Sequence, residues 1–212
     1  MEKKSAGKRS RNRSDTEQRL RAAVGAVLTN RGFGALTPSA IAREAGVDKM
    51  LIYRYFGSLE GLIESVANGP DFFPGFEEIC DGDPASFRAR PMSERAADVA
   101  ENYARLLMAR PVVLELMVWE LVERNALTAI METARETMGL RLAREIFDDA
   151  GDPGFVNAVF AIVGAGVTYL AIRRRKIRWF NGIDLRSDEG WRQLKAAVQA
   201  MSQALEAPAR HA

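Results

Sequence analysis

Gly32, Gly46 and Gly57 stop three successive helical patterns near the start of this chain, and that punctuation limits its fold more than any other feature. Between the stops, apolar residues recur at helical spacing. Leu20, Val24, Val27 and Leu28 form one stripe, Ile41, Ala42 and Ala45 a second, and Ile52 and Phe56 a third. Helices shorter than about 12 to 15 residues are marginal alone in water, so pieces this brief must bury their stripes on one another. Ser14 and Glu17 offer a capping box for the first. Thr37 caps the second, with Pro38 at the first helical position, where its missing N–H costs nothing. Asp48 caps the third. Ser58 opens a fourth, with Leu59, Leu62, Ile63 and Val66 on one face. The expectation is a compact helical module over residues 14–67, preceded by a disordered basic arm over residues 1–13.

Residues 68–91 hold four prolines and three glycines and mark the natural boundary, as a connector or an irregular helical segment. Helical spacing then resumes. Val99, Tyr103, Leu106 and Leu107 share a face, and Pro111 begins "PVVLELMVWELVE". Leu127, Ile130, Met131, Ala134 and Met138 continue the pattern. A last helix carries Trp191, Leu194, Val198, Met201 and Leu205. No run alternates as a strand does. The fold class is therefore all-α, about nine helices, with a larger helical domain over residues 68–206 and a tail over residues 207–212.

At 47% hydrophobic and 27% charged, a 212-residue chain buries a sizeable core without disulfides or metals. Its one cysteine, Cys80, excludes an internal disulfide and fits a reducing, cytoplasmic setting. With His211 its only histidine, Cys/His catalysis and Cys/His zinc sites are nearly excluded, and no metal or other cofactor is called for. Glu115, Glu120 and Glu123 lie along one helix, but glutamates beside an apolar stripe are ordinarily its solvated edge. An enzyme is not expected.

Residues 153–172 run without a charge and end at Arg173, Arg174 and Arg175. Length and flank would suit a membrane span. Asn157, Thr168 and three glycines favour instead a helix buried against a neighbour or a second subunit.

Charge is divided unevenly. Residues 1–57 hold 12 basic and 5 acidic side chains, and the remainder holds 18 and 23. A basic front end on an acidic body points to a polyanionic partner. Two helices joined through Gly46 fit the helix-turn-helix pattern, whose second helix enters the DNA major groove. With Ile52 and Phe56 inward, Lys49, Met50, Tyr53 and Arg54 share the outer face. The basic arm is either a solvated disordered tail or a segment that follows the DNA backbone or enters the minor groove beside the module.

"LTPSAIAREAGVDKMLIYRYFGSLEGL", residues 36–62, resembles the second and third helices and the start of the fourth in the TetR family of bacterial transcriptional regulators. The resemblance covers roughly residues 15–67; beyond that only the layout agrees. It implies that Thr37, Pro38 and Ser39 touch the DNA backbone or a base, and that Lys49, Met50 and Leu51 open the recognition helix. It further implies backbone contacts from Tyr53 and Tyr55, and it puts Arg54 at a variable position. Met50 stands where the family often has glycine or proline, and with Leu51 it offers apolar atoms suited to thymine methyls. Leu59 stands where a phosphate-binding lysine is common. By the same resemblance the larger domain binds a small-molecule effector, and the last two helices, residues 153–181 and 188–206, pair with a second copy. The expected protein is a ligand-responsive homodimeric repressor on a palindromic double-stranded DNA operator. Tyr103, Met117, Trp119, Met131 and Phe160 are candidates to line an apolar effector pocket.

Overall fold

The computed structural model describes residues 3–203 apart from 68, 70, 71, 123 and 125; for residues 3–11, 126 and 127 it describes the backbone alone. Glu123, Leu205 and the tail from 207 lie outside the described residues. The chain divides into two compact units, residues 1–72 with 111–131, and residues 73–110 with 132–212.

In the first unit, α1 (Lys3–Arg31) is followed by a single 3-10 turn (Phe33–Ala35), α2 (Pro38–Ala45), α3 (Met50–Phe56), α4 (Leu59–Ala67) and, later in the chain, α8 (Pro111–Glu120). The glycine stops fall at helix ends as the spacing predicts. Gly32, Gly46 and Gly57 all have positive φ, a region that favours glycine. Leu20, Val24, Val27 and Leu28 of α1 are buried, as are Ile41, Ala42 and Ala45 of α2, Ile52 of α3 and Leu62 and Ile63 of α4. α1 packs on α2, α4 and α8, and α3 packs on α4. The start of α1 differs from the sequence reading. The helix begins at Lys3, so residues 3–13 are helical rather than a disordered arm. Glu17 turns back to Arg13 at 2.8 Å instead of closing a box on Ser14. No proline interrupts residues 3–31, and the i, i+4 pair supports the continuous helix.

The second unit holds α5 (Phe76–Ile79), α6 (Pro84–Arg88), α7 (Met92–Met108), α10 (Pro153–Arg173), a hairpin of β1 (Trp179–Phe180) and β2 (Ile183–Asp184), and α11 (Asp188–Ser202). The long α9 (Ala126–Glu145) supplies it with residues from 132 onward. α5 and α6 occupy the proline-rich connector and take the irregular-helical alternative. Its core gathers Phe76, Ile79, Phe87, Val99, Ile146 and Phe147. α10 and α11 both pack on α7.

The hairpin corrects the expectation of no strand. Trp179 pairs with Asp184 and Phe180 with Ile183, antiparallel, across Asn181 and Gly182. Both turn residues have positive φ, 49° and 81°, which an Asn-Gly pair tolerates and a two-residue hairpin needs. Two residues per strand are too few for alternation to show.

One buried cation ties the second unit together. Arg95 on α7 is 2% exposed, and its guanidinium donates to the Ile146 carbonyl and to both oxygens of Asp149, at 3.0 and 2.7 Å. It also lies 5.3 Å from the centre of the Phe147 ring. Burial alone would raise the Asp149 carboxyl, but the bonds and charge of Arg95 hold it below the usual carboxylate range. A native value below the unfolded one adds stability above the unfolded pKa and loses it as pH falls through the native value. Arg95→Ala is expected to lower stability in urea by about 2 to 4 kcal/mol, because a buried carbonyl loses its donor and a buried side chain its volume. Asp149→Asn should make the acid loss of stability shallower than in the unmodified protein. Urea midpoints measured across acid to neutral pH check both.

Candidate nucleic-acid interface

The turn between α2 and α3 is fixed from both sides. Thr37 caps α2, its Oγ1 accepting the Ala40 N–H at 3.2 Å, and Pro38 occupies the first turn. At the far end Gly46 is left-handed at φ 62°, and its N–H closes on the carbonyls of Ala42 and Arg43. Arg19 of α1 reaches across and donates to the carbonyls of Ala45 and Gly46, at 2.5 and 3.1 Å. A Cβ on residue 46 would lie 3.1 Å from that guanidinium, a tight contact, and the left-handed φ itself favours glycine there. Asp48 then accepts the Met50 N–H at 2.7 Å and starts α3.

Ile52, fully buried, roots α3 in the unit's core. Phe56 is half-buried, with the Arg21 guanidinium 5.3 Å from its ring centre. Arg21 also donates to Ser65 of α4 at 3.1 Å. Tyr55 is half-buried, with Arg13 at 5.1 Å and Arg54 at 6.0 Å from its ring centre. Arg13, Arg19 and Arg21 thus position the recognition elements from α1, a role the sequence reading did not assign. The i, i+4 ladder Arg13–Glu17–Arg21 was the available signal.

With Ile52 inward, Lys49, Met50, Tyr53 and Arg54 stand exposed together; Met50 is 61% and Tyr53 45% exposed. Leu51 is half-buried. Thr37 and Ser39 are exposed at the start of α2, with Pro38 half-buried between them. The face combines two cations and a phenol, which suit phosphate oxygens, with a thioether that offers apolar contact to a thymine methyl. Leu59, in place of a cation, is half-buried beside the buried Leu62 and Ile63. Next to it, the Glu60 carboxyl is held below its usual range by a backbone N–H and the Ser58 hydroxyl.

The five candidate effector residues divide between the units. Met117 and Met131 are buried in the first, where Trp119 stacks on Phe33 at 4.7 Å and 15°. Tyr103 and Phe160 belong to the second and pack against its core. Tyr103 shares a 3.3 Å hydrogen bond with Thr168, and Phe160 meets Phe147 edge-on at 4.6 Å.

Residues 20–66 match the family described as bacterial regulatory proteins, tetR family. Two solved structures share the fold over most of the chain. One is a TetR-like transcriptional regulator from Rhodococcus sp. RHA1, 20% identical, covering 89% of this chain and 96% of its own, with a TM-score of 0.61. The other, from Mesorhizobium loti MAFF303099, carries a TetR-family name and is 16% identical, covering 91% of this chain and 97% of its own, with a TM-score of 0.60. No curated protein matches the sequence.

Substituting Tyr53 and Lys49 together by alanine should weaken binding to duplex DNA by about tenfold or more, to a similar degree for every sequence, since phosphate contacts carry no base information. Met50→Ala should leave overall affinity nearer to the parent and change preference at one base step. Fluorescence anisotropy on duplexes of varied sequence separates the two outcomes. Unmodified affinity in a folded double variant would remove these residues from the interface.

Proposed function

We propose, from the match of residues 20–66 to the tetR family of bacterial regulatory proteins, that this chain is a cytoplasmic homodimeric repressor, released from a palindromic operator by a small apolar or amphipathic molecule. Members of the family are transcriptional regulators rather than enzymes. The observation that carries DNA binding is the exposed quartet of Lys49, Met50, Tyr53 and Arg54 on a helix whose other side is anchored by Ile52. Thr37, Pro38, Ser39, Leu51 and Tyr55 complete the proposed contact set.

The homodimer rests on α10. This helix is long and apolar enough to cross a membrane, with a mean hydropathy of 2.0, yet only 17% of that window is buried. Phe155, Ile162 and Tyr169 are exposed along it at helical spacing, Ile162 by 74%. A Cβ on Gly164 or Gly166 would meet nothing within 4 Å, so packing inside the chain does not call for glycine there. Small residues beside exposed apolar ones suit the close approach of a second helix. α11 continues the surface through Ala197 and Met201, and between the two helices runs an apolar groove that includes Leu194 and Val198. A two-fold contact covers such a surface with its own copy.

Ligand response follows from the dimer. A molecule that prefers the spacing of the two reading heads unsuited to the operator weakens DNA binding by its difference in affinity for the two states. Tyr103 and Phe160, on the rim of the second unit's core, are the proposed contacts within that unit; Met117, Trp119 and Met131 are candidates within the first.

Sedimentation at micromolar concentration tests the assembly. The expected species is a dimer, and Ile162→Glu should shift it toward monomer and weaken DNA binding in parallel, because two half-sites are read together. A monomer that binds DNA tightly would overturn the dimeric reading.

A further inference from the structure

The acidic remainder of the chain contains one strongly basic place. Residues 173–186 hold six cations, Arg173, Arg174, Arg175, Lys176, Arg178 and Arg186, against one acid, Asp184. They surround the hairpin that follows α10. Arg175, Lys176, Arg178 and Arg186 are exposed, and Trp179 is 59% exposed among them. Arg174 donates its Nε to the Leu185 carbonyl at 2.9 Å, and Arg186 donates to the Arg174 carbonyl at 3.3 Å. Arg178 pairs with Asp184 at 2.9 Å and lies 5.4 Å from the Trp179 ring centre, and the Arg186 backbone N–H also donates to Asp184 at 3.0 Å.

The Asn181–Gly182 turn and the backbone bond from Leu185 to Arg178 at 2.8 Å hold this cluster on a short hydrogen-bonded loop. Its place in the second unit is set by packing. Arg95 meets Phe147, which meets Phe160, while Tyr103 meets Thr168. α7 and α10 therefore run in the same direction, and the hairpin lies at the end of the unit where α7 stops.

We propose that the hairpin is a second phosphate-binding surface, on which Lys176, Arg186 and their neighbours contact the backbone of duplex DNA. The proposal rests on the DNA-binding reading above, which supplies the polyanion. A row of exposed cations on an otherwise acidic unit is complementary to a phosphate backbone. A membrane is the less favoured polyanion, because α10 is committed along one side to α7 rather than standing free to insert. The contacts carry no base preference, since phosphates are alike in every sequence. Their effect is added affinity and a steeper dependence on salt.

The test compares the full-length protein with Lys176→Gln and with the Lys176→Gln, Arg186→Gln pair on a mixed-sequence duplex of about 40 base pairs, across a salt series. Each phosphate contact adds roughly 0.9 to the slope of log K against log salt. A dimer carrying the pair should show a slope shallower by about 3 to 4 units, and the single variant by about 2. The single variant keeps the comparison meaningful if loss of Arg186 loosens the hairpin. An unchanged slope in both variants overturns the proposal. So does an unchanged slope accompanied by lost binding to phosphatidylserine vesicles, or by a weakened dimer in sedimentation. A parent protein with no affinity for any duplex would instead overturn the DNA-binding reading, and this inference with it.

Discussion

The hydrogen bonds from Arg19 to the carbonyls of Ala45 and Gly46 decide where α3 stands. The end of a helix leaves carbonyls without intrahelical donors, and here a charged donor from a different helix takes two of them. Gly46 takes the left-handed conformation that the turn requires, and the guanidinium holds the carbonyls on either side of it. α3 then leaves with Ile52 pointing into the core and Lys49, Met50, Tyr53 and Arg54 pointing out. Lose the turn and the outward residues no longer form one face, whatever their chemistry.

Charge and apolar surface divide the work between the two units. In the first, arginines position aromatic rings and helix ends, while Arg31, Arg43, Lys49 and Arg54 are exposed. In the second, arginines are drawn into ion pairs with a largely acidic surface: Arg88 with Asp148, Arg90 with Asp81 and Asp98, Arg110 with Glu78. Lys195 of α11 bridges Asp98 and Glu101 of α7 and fixes α11 on that helix. The second unit also carries the exposed cations of the hairpin, and it leaves an apolar side of α10 exposed. The first suits a polyanion and the second another copy of the chain.

Much of the first unit was legible in the sequence because its signals are local. Thr37, Pro38, Gly46 and Asp48 act on neighbours within four residues, and spacing alone put Ile41, Ala45 and Ile52 inside. The roles of Arg13, Arg19 and Arg21 were not legible in full, since Arg19 acts on residues 26 and 27 positions away, with no periodicity to mark it. The early start of α1 was missed because a basic, polar segment has the composition of a disordered arm. Asn181–Gly182 was a readable turn, overlooked because two-residue strands leave no alternation to support it. The effector candidates show the limit most plainly. Helical spacing marks Tyr103, Met117, Trp119, Met131 and Phe160 as facing inward but does not say into which core, and they fall in two units.

The central claim is that the turn-positioned α3 face reads a specific DNA sequence. Selection of bound fragments from a bacterial genomic library, followed by footprinting of the enriched sites, tests it most directly. The account predicts a small set of approximate palindromes, with half-sites about one helical turn apart or a multiple of it. Recovery of unrelated fragments with no shared sequence, from protein that is folded and binds the library, would contradict it.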